Sequence, residues 1–375
     1  MATNNKIPNC PPLRFPEFSS PWMQTSLGKI LSIGNGRDYK HLSRGDIPVF
    51  GTGGYMTSVD QFLMDGESVF IGRKGTIDKP FYHNGKFWTV DTLFYTHSFI
   101  NSSPRFVLYL FNNINWLEYN EASGVPSLSK TTISKIPICF PQLAEQEKIA
   151  SFLSLIDERI QCLSETIAEM KSLRLGVYQS ILCKRRAHWE IVYLKDILVE
   201  RGEKNTSQLD VFSVSVSKGI VNQVEHLGRS FAAKNTQNYN VVHHGDLVYT
   251  KSPTGDFPYG IVKQSKIGTS VAVSPLYGVY IPQNYHIGVM IHNFFLSALR
   301  TSNYLAPLVQ KGAKNTMNIT TQHFLDNKIV LPLDTVEQQR ISSLITLLDE
   351  RIELEEQLLQ QYEQQKKYLL RQMFI

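Results

Sequence analysis

Two loops in this sequence carry the residue types that hold phosphates and read base edges. Arg73-Lys74-Gly75-Thr76 follows the run Gly66-Glu67-Ser68-Val69-Phe70-Ile71-Gly72, and Lys251-Ser252-Pro253-Thr254-Gly255 follows Gly245-Asp246-Leu247-Val248-Tyr249-Thr250. A guanidinium such as that of Arg73 presents a planar fork matching the O6/N7 edge of guanine or a phosphate, whereas a lysine ammonium is a point charge suited to phosphate. An exposed basic turn with no ligand has the same composition. What favours function is recurrence: a Gly-acid turn, a β-branched and aromatic strand, then a basic, glycine-containing loop, twice. The residues singled out for nucleic-acid contact are Arg73, Lys74, Gly75 and Thr76 in the first loop and Lys251, Ser252 and Thr254 in the second. The clusters Tyr39-Lys40-His41 and Tyr82-His83-Asn84 are further candidates to reach base edges, with Tyr39, Lys40 and Tyr82 foremost; either cluster also fits a loop at a domain edge.

No catalytic constellation accompanies these loops. There is no nucleophile elbow, no HExxH and no dinucleotide fingerprint. The cluster Gly51-Thr52-Gly53-Gly54 lacks the spacing and the lysine of a phosphate loop and reads as a tight hairpin in the run Ile47 to Tyr55. His243-His244 has no further ligand at usable spacing, and Cys10, Cys139, Cys162 and Cys183 are scattered, so no metal site is expected. Asn9-Cys10-Pro11-Pro12 is not the Asn/Asp-Pro-Pro-aromatic motif of amino-methyltransferases, because Cys10 breaks it. The chain reads as a binding protein rather than an enzyme. Without a signal peptide or an apolar run near 18 residues, it is expected to be cytoplasmic, with reduced thiols and no membrane contact.

The elements that must position the loops come from a duplication. Residues 145 to 160 and 337 to 352 align without gaps at a shift of 192, with nine of sixteen positions identical. Apolar residues at Ile149, Leu153, Ile156, Ile160, Leu163, Ile167 and Met170 alternate spacings of four and three, a heptad seam. The second copy keeps it at Ile341, Ile345, Leu348 and Ile352, loses it at Glu355, and resumes at Leu359, Tyr362, Leu369 and Met373. Each helix follows a proline, Pro141 or Pro332, with Asp334 or Thr335 as N-cap of the second, which predicts helices over 143–183 and 335–374. At 1.5 Å per residue each spans about 60 Å. Their narrow seams predict that they pair with each other, antiparallel if the segment between them is compact; packing of each on its own domain is the alternative. Asp157 and Asp349 fall at e, Arg159 and Arg351 at g, and Glu158 and Glu350 at f, facing away from a paired helix. A docking partner would explain why Glu158 and Glu350 are alike, and plain inheritance would as well.

The domain openings also repeat: Trp22 and Trp189 each stand five residues before Leu27 and Leu194. The chain therefore divides into a loosely attached, proline-containing N-terminal arm (1–20), a first domain (21–140), a long helix (141–184), a second domain (185–331) and a second long helix (332–375). Strands are expected at Phe87–Tyr95 and Gly278–Ile281 and a short helix at 291–301, so the fold class is α+β. The net charge of +5 is uneven, with residues 1–140 at +3 and 185–330 at +6 while both helical segments are negative. Positive charge thus sits in the domains, where an anionic partner would bind.

This arrangement resembles the specificity subunit of type I restriction-modification systems over nearly the whole chain. The residues carrying the likeness are Leu143-Ala144-Glu145-Gln146-Glu147-Lys148-Ile149 and Val336-Glu337-Gln338-Gln339-Arg340-Ile341, each after a proline, with the two Trp-x4-Leu openings and the loops Gly51-Thr52-Gly53-Gly54 and Gly72-Arg73-Lys74-Gly75. The resemblance implies two target-recognition domains held apart by an antiparallel helix pair, a pseudo-twofold repeat. Each domain would read half of a bipartite double-stranded DNA site, and the helices would set the unread spacer. Two methyltransferase (M) subunits would dock on the scaffold, and restriction/translocase (R) subunits would join them. S-adenosylmethionine, ATP and magnesium would belong to those partners, with no cofactor in this chain. Glu355 departs from the repeat at a seam position where the first helix has Leu163. From another class, a structural adaptor whose coiled coil joins two protein-binding domains fits the same outline.

Overall fold

The computed structural model of the chain describes residues 10–183, 189–224, 235–311 and 317–375. The chain divides into two compact units: residues 1–164 with 357–375, and residues 165–356. Each long helix is thus shared between units, its first part in one and its last part in the other.

In the first unit the opening strand Met23–Ser26 pairs antiparallel with Pro137–Phe140, the strand that leads through Pro141 into the long helix Leu143–Cys183. In the second, Trp189–Tyr193 pairs in the same way with Lys328–Pro332, the strand before the long helix Thr335–Met373. The repeated tryptophan openings therefore mark the strand that closes each domain onto its helix. A four-residue helix follows in both, Leu27–Ile30 and Leu194–Ile197, and buries Leu27 and Leu194 completely. Each domain also carries a short helix just before its closing strand. Ser129 and Thr320 cap these helices by accepting from the backbone N–H three residues on, and Ile133 and Phe324 are buried beneath them.

Between these shared parts the units differ. The first holds a six-stranded sheet in the order Ser32–Asn35, Leu93–His97, Met64–Gly72, Phe81–Thr89, Arg44–Gly51, Gly54–Val59. The second holds a four-stranded sheet, Leu198–Glu200, Gly278–Pro282, Leu247–Thr250, Ile261–Gln264, with separate two-stranded ribbons. In both, a central strand flanked on each side runs into the basic loop.

The helix expected over 143–183 spans Leu143–Cys183, and the second spans Thr335–Met373. Asp334 caps it, its Oδ1 accepting from the Val336 N–H. Seam residues Ile149, Leu153, Ile156, Leu163, Ile167, Ile341, Ile345 and Ile352 are buried, and so is Glu355, whose carboxylate takes Arg351 one turn back. Packing on the domains also occurs. Ile149, Leu153 and Ile156, together with Leu369, Met373 and Phe374 from the end of the second helix, belong to the first unit's main core.

Four expectations are corrected. Phe87–Tyr95 is not one strand: Phe81–Thr89 and Leu93–His97 are joined by a turn in which Leu93 N–H donates to Val90 O. The helix expected at 291–301 is two, Tyr285–Phe294 and Ala298–Leu305, because Ser297 turns its hydroxyl to the Arg300 N–H and starts a new one. Gly66-Glu67 lies inside the strand Met64–Gly72 opposite Gly85, both glycines at positive φ, whereas Gly245-Asp246 does form a turn. The described part of the N-terminal arm is also no loose tail. Arg14 is in a bidentate pair with buried Glu145, Leu13 N–H donates to Gln372 O, and Phe15 packs edge-on against Phe152. Residues 1–9 of the arm lie outside the described residues.

Candidate nucleic-acid interface

In the first unit the loop after Met64–Gly72 is fixed by backbone bonds on both sides. Arg73 and Lys74 N–H both donate to Thr92 O, Gly75 N–H donates to Pro126 O, and Leu128 N–H donates to Arg73 O. Gly75 adopts φ +93°, a conformation that favours glycine. A Cβ at Gly75 would stand 4.0 Å from Thr52 Oγ1, so the tip of the hairpin at residues 51–54 lies beside this loop. Arg73 and Lys74 expose their side chains, with the Arg73 guanidinium at 3.3 Å from Asp91 O and 6.0 Å from the Phe94 ring. Lys130, at the first position of the short helix Lys130–Lys135, adds its charge to theirs. Its ammonium is pushed below its ordinary range by partial burial and by the neighbouring Arg73 charge. His97 is lowered likewise, by burial and then by Lys130. Positive charge concentrated on a backbone-fixed loop is what an anion-binding surface requires.

The segment that leads into Tyr39 and Lys40 borders the same turn. Gly36 N–H donates to Leu93 O and Arg37 N–H to Thr89 O, so the chain before Tyr39 flanks the turn that holds Arg73. Tyr39 is half-buried against Val49, Val59 and Trp88, and Lys40 is exposed. Tyr82 stands apart from this group. Its ring packs on the main core beneath the Arg105 guanidinium at 4.8 Å, its hydroxyl donates to Glu67, and burial pushes that hydroxyl up to about 12.

In the second unit Lys251 is half-buried at the start of its loop, where it lines a pocket of about 140 Å³ with Glu200, Lys204, Asn240, Tyr277 and Thr321. Ser252 and Thr254 are exposed; Thr254 and Phe257 exchange backbone hydrogen bonds that close the loop on itself.

Glu158 and Glu350 are exposed on the long helices, and neither joins an ion pair among the described residues. Each ends a stripe repeated in both copies, Ser151-Leu155-Glu158 and Ser343-Leu347-Glu350, whose spacing of four then three puts all three on one helix face. All six are exposed, Leu155 and Leu347 to 63% and 64%. Among the described residues, no group of three His, Cys, Asp or Glu could hold a metal and no helix is long and apolar enough to cross a membrane.

Two repeated residues acquire a role that periodicity could not reveal. Gln146 is fully buried: its amide donates to Pro141 O and Asn101 O, and its Oε1 accepts from the N–H of Ser103, the N-cap of helix Pro104–Asn113. Gln338 donates to Pro332 O and accepts from Asn284, the N-cap of helix Tyr285–Phe294. The identical glutamine therefore locks each long helix to a capped helix of its own domain. Asp157 and Asp349 are also repeated anchors. Asp157 takes Tyr109 and Lys366, whereas Asp349 takes Arg174 and Lys266, which hold its carboxyl below the ordinary range despite burial.

A family model described as the type I restriction modification DNA specificity domain matches this chain twice, over residues 19–172 and 188–364. The chain is 24% identical over 298 residues to the type I restriction enzyme MjaVIII specificity subunit of Methanocaldococcus jannaschii, covering 70% of this chain and 68% of that one. A putative type I restriction enzyme specificity subunit of Haemophilus influenzae is 25% identical over 116 residues, the match spanning only 30% of each chain. Among solved structures, the type I restriction-modification S subunit from M. genitalium superposes with a TM-score of 0.67 at 13% identity, over 98% of this chain and 99% of that one. This chain belongs to the specificity (S) subunit family of type I restriction-modification systems.

Proposed function

We propose that each globular domain of this chain reads one half of a bipartite site in double-stranded DNA, and that the long helices set the unread spacer between the halves. The observation that carries this reading is the double family match over 19–172 and 188–364, with shared framing elements and dissimilar sheets between them. Two copies of one frame with different surfaces fit two different half-sites. Within the first unit, Asp157 pairs with Lys366 while Arg159 lies over Tyr362. Within the second, Lys171 pairs with Glu356 and Arg174 with Asp349. In both sets, rising numbers on one helix meet falling numbers on the other, which supports an antiparallel coiled coil.

The repeated stripes ending in Glu158 and Glu350 are the docking faces for two methyltransferase subunits. Leucines left exposed at the same place in both copies support one kind of partner bound twice. The chain itself is non-catalytic. S-adenosylmethionine, ATP and magnesium belong to the methyltransferase and restriction/translocase subunits, and the complex acts in the cytoplasm. Titrating fluorescent duplex with the chain and its methyltransferase partners at several salt concentrations tests the reading. Affinity should fall steeply as salt rises, with a slope set by the phosphates neutralised. No measurable duplex binding at low salt would overturn it.

A further inference from the structure

The hairpin Arg44–Gly51 and Gly54–Val59 turns through only Thr52 and Gly53, with Gly51 opposite Gly54. Gly54–Val59 is the outermost strand of its sheet, bonded on one side alone. An edge strand is ordinarily protected by charge or by a covering segment. This one instead exposes Tyr55 to 64% and Met56 to 51%. Neither is idle: the Tyr55 hydroxyl is 3.1 Å from Ser58 Oγ, and a Cβ on Gly51 would come within 2.6 Å of the Met56 sulfur. Met56 thus lies across the ribbon where only a glycine leaves room. The tip at Thr52 adjoins Gly75 of the basic loop, with Arg73 and Lys74 exposed beside it and Lys130 close to Arg73.

We infer that this ribbon is a base-reading element of the first domain, with Tyr55 and Met56 making apolar contact with base edges in the major groove. The inference rests on the DNA-recognition reading above and adds the surface and its chemistry. A two-stranded ribbon fits the major groove, and the apolar feature offered there is the 5-methyl group of thymine. The adjoining cations supply charge complementarity to duplex DNA, while the ribbon tip, with nothing within 4 Å of a Cβ on Gly53 or Gly54, can approach a groove floor closely.

The test selects bound duplexes from a random-sequence 40-bp pool, using the chain with its methyltransferase partners. The parent should yield two short blocks, and Tyr55→Ala/Met56→Ala should lose preference at one or two A·T positions of one block only. Replacing thymine by deoxyuracil at those positions should weaken the parent about tenfold and leave the double variant unchanged. Both residues are exposed, so an unaltered melting temperature serves as the folding control. Identical motifs from parent and variant, or a parent indifferent to the thymine methyl group, would overturn the inference. A parent that selects no motif at all would instead defeat the DNA-recognition reading, and this inference with it.

Discussion

Arg73 and Lys251 follow matching strands but meet different surroundings, and that difference sets what each substitution should do. Arg73 is exposed, with its backbone held at Thr92 and Leu128. Arg73→Ala should cost about 1–3 kcal/mol of binding, more on the cognate duplex than on a scrambled one. Lys251 lines a polar pocket, so Lys251→Ala should weaken all duplexes alike and flatten the salt dependence, as loss of a phosphate contact does. Fluorescence anisotropy with both duplexes at two salt concentrations separates the two, and unchanged binding on both would make these loops ordinary turns. A second residue-scale outcome concerns folding. Burial pushes the Lys263 ammonium down from 10.5 to about 8, helped by Arg174 and opposed by Asp349. Between those values the unfolded chain holds a proton that the folded chain has released, so stability should rise with pH across that window. Lys263→Met should remove the rise and stabilise the protein at pH 7 by on the order of 2 kcal/mol, read from denaturation midpoints. A variant no more stable than the parent would mean that the ammonium is already well compensated.

The long helices were the most legible elements, because a heptad over some forty residues, a preceding proline and an acidic cap all point the same way. Their expected bounds differ from the observed ones by at most one residue. Gln146 and Gln338 were visible only as identities, since a glutamine next to a seam carries no sign of the N-cap it will meet. Strand and short-helix bounds in the domains were less legible. A turn such as Val90 to Thr92 and a cap such as Ser297 are decided by local hydrogen bonds that hydropathy does not record. Of the site candidates, Arg73 and Lys74 are held at the turn that the segment before Tyr39 borders, while the aromatic signal of Tyr82 was that of a core-facing strand residue. The glutamine locks lead to an ordered outcome. Gln146→Ala strands three backbone partners and should lower stability by about 2–3 kcal/mol, whereas Gln338→Ala disturbs two contacts and should cost less. Equal or negligible losses in chemical denaturation would mean that the locks are incidental.

At the scale of the whole molecule, a duplicated frame carries two unlike sheets, which under the proposed function are two different reading surfaces. Charge supports this, since the excess of cations lies in the domains and the helical segments are acidic. The helices, of 41 and 39 residues, are each about 60 Å long. On the proposed reading, with about 34 Å per DNA turn, helices of that length would correspond to half-sites centred somewhat under two turns apart. The most direct measurement is single-molecule mapping of methylated adenine in cells expressing this chain with its methyltransferase subunit. The account expects one asymmetric motif of two short specified blocks, separated by a spacer of fixed length and no base preference. A single continuous block, or a palindrome with identical halves, would contradict it.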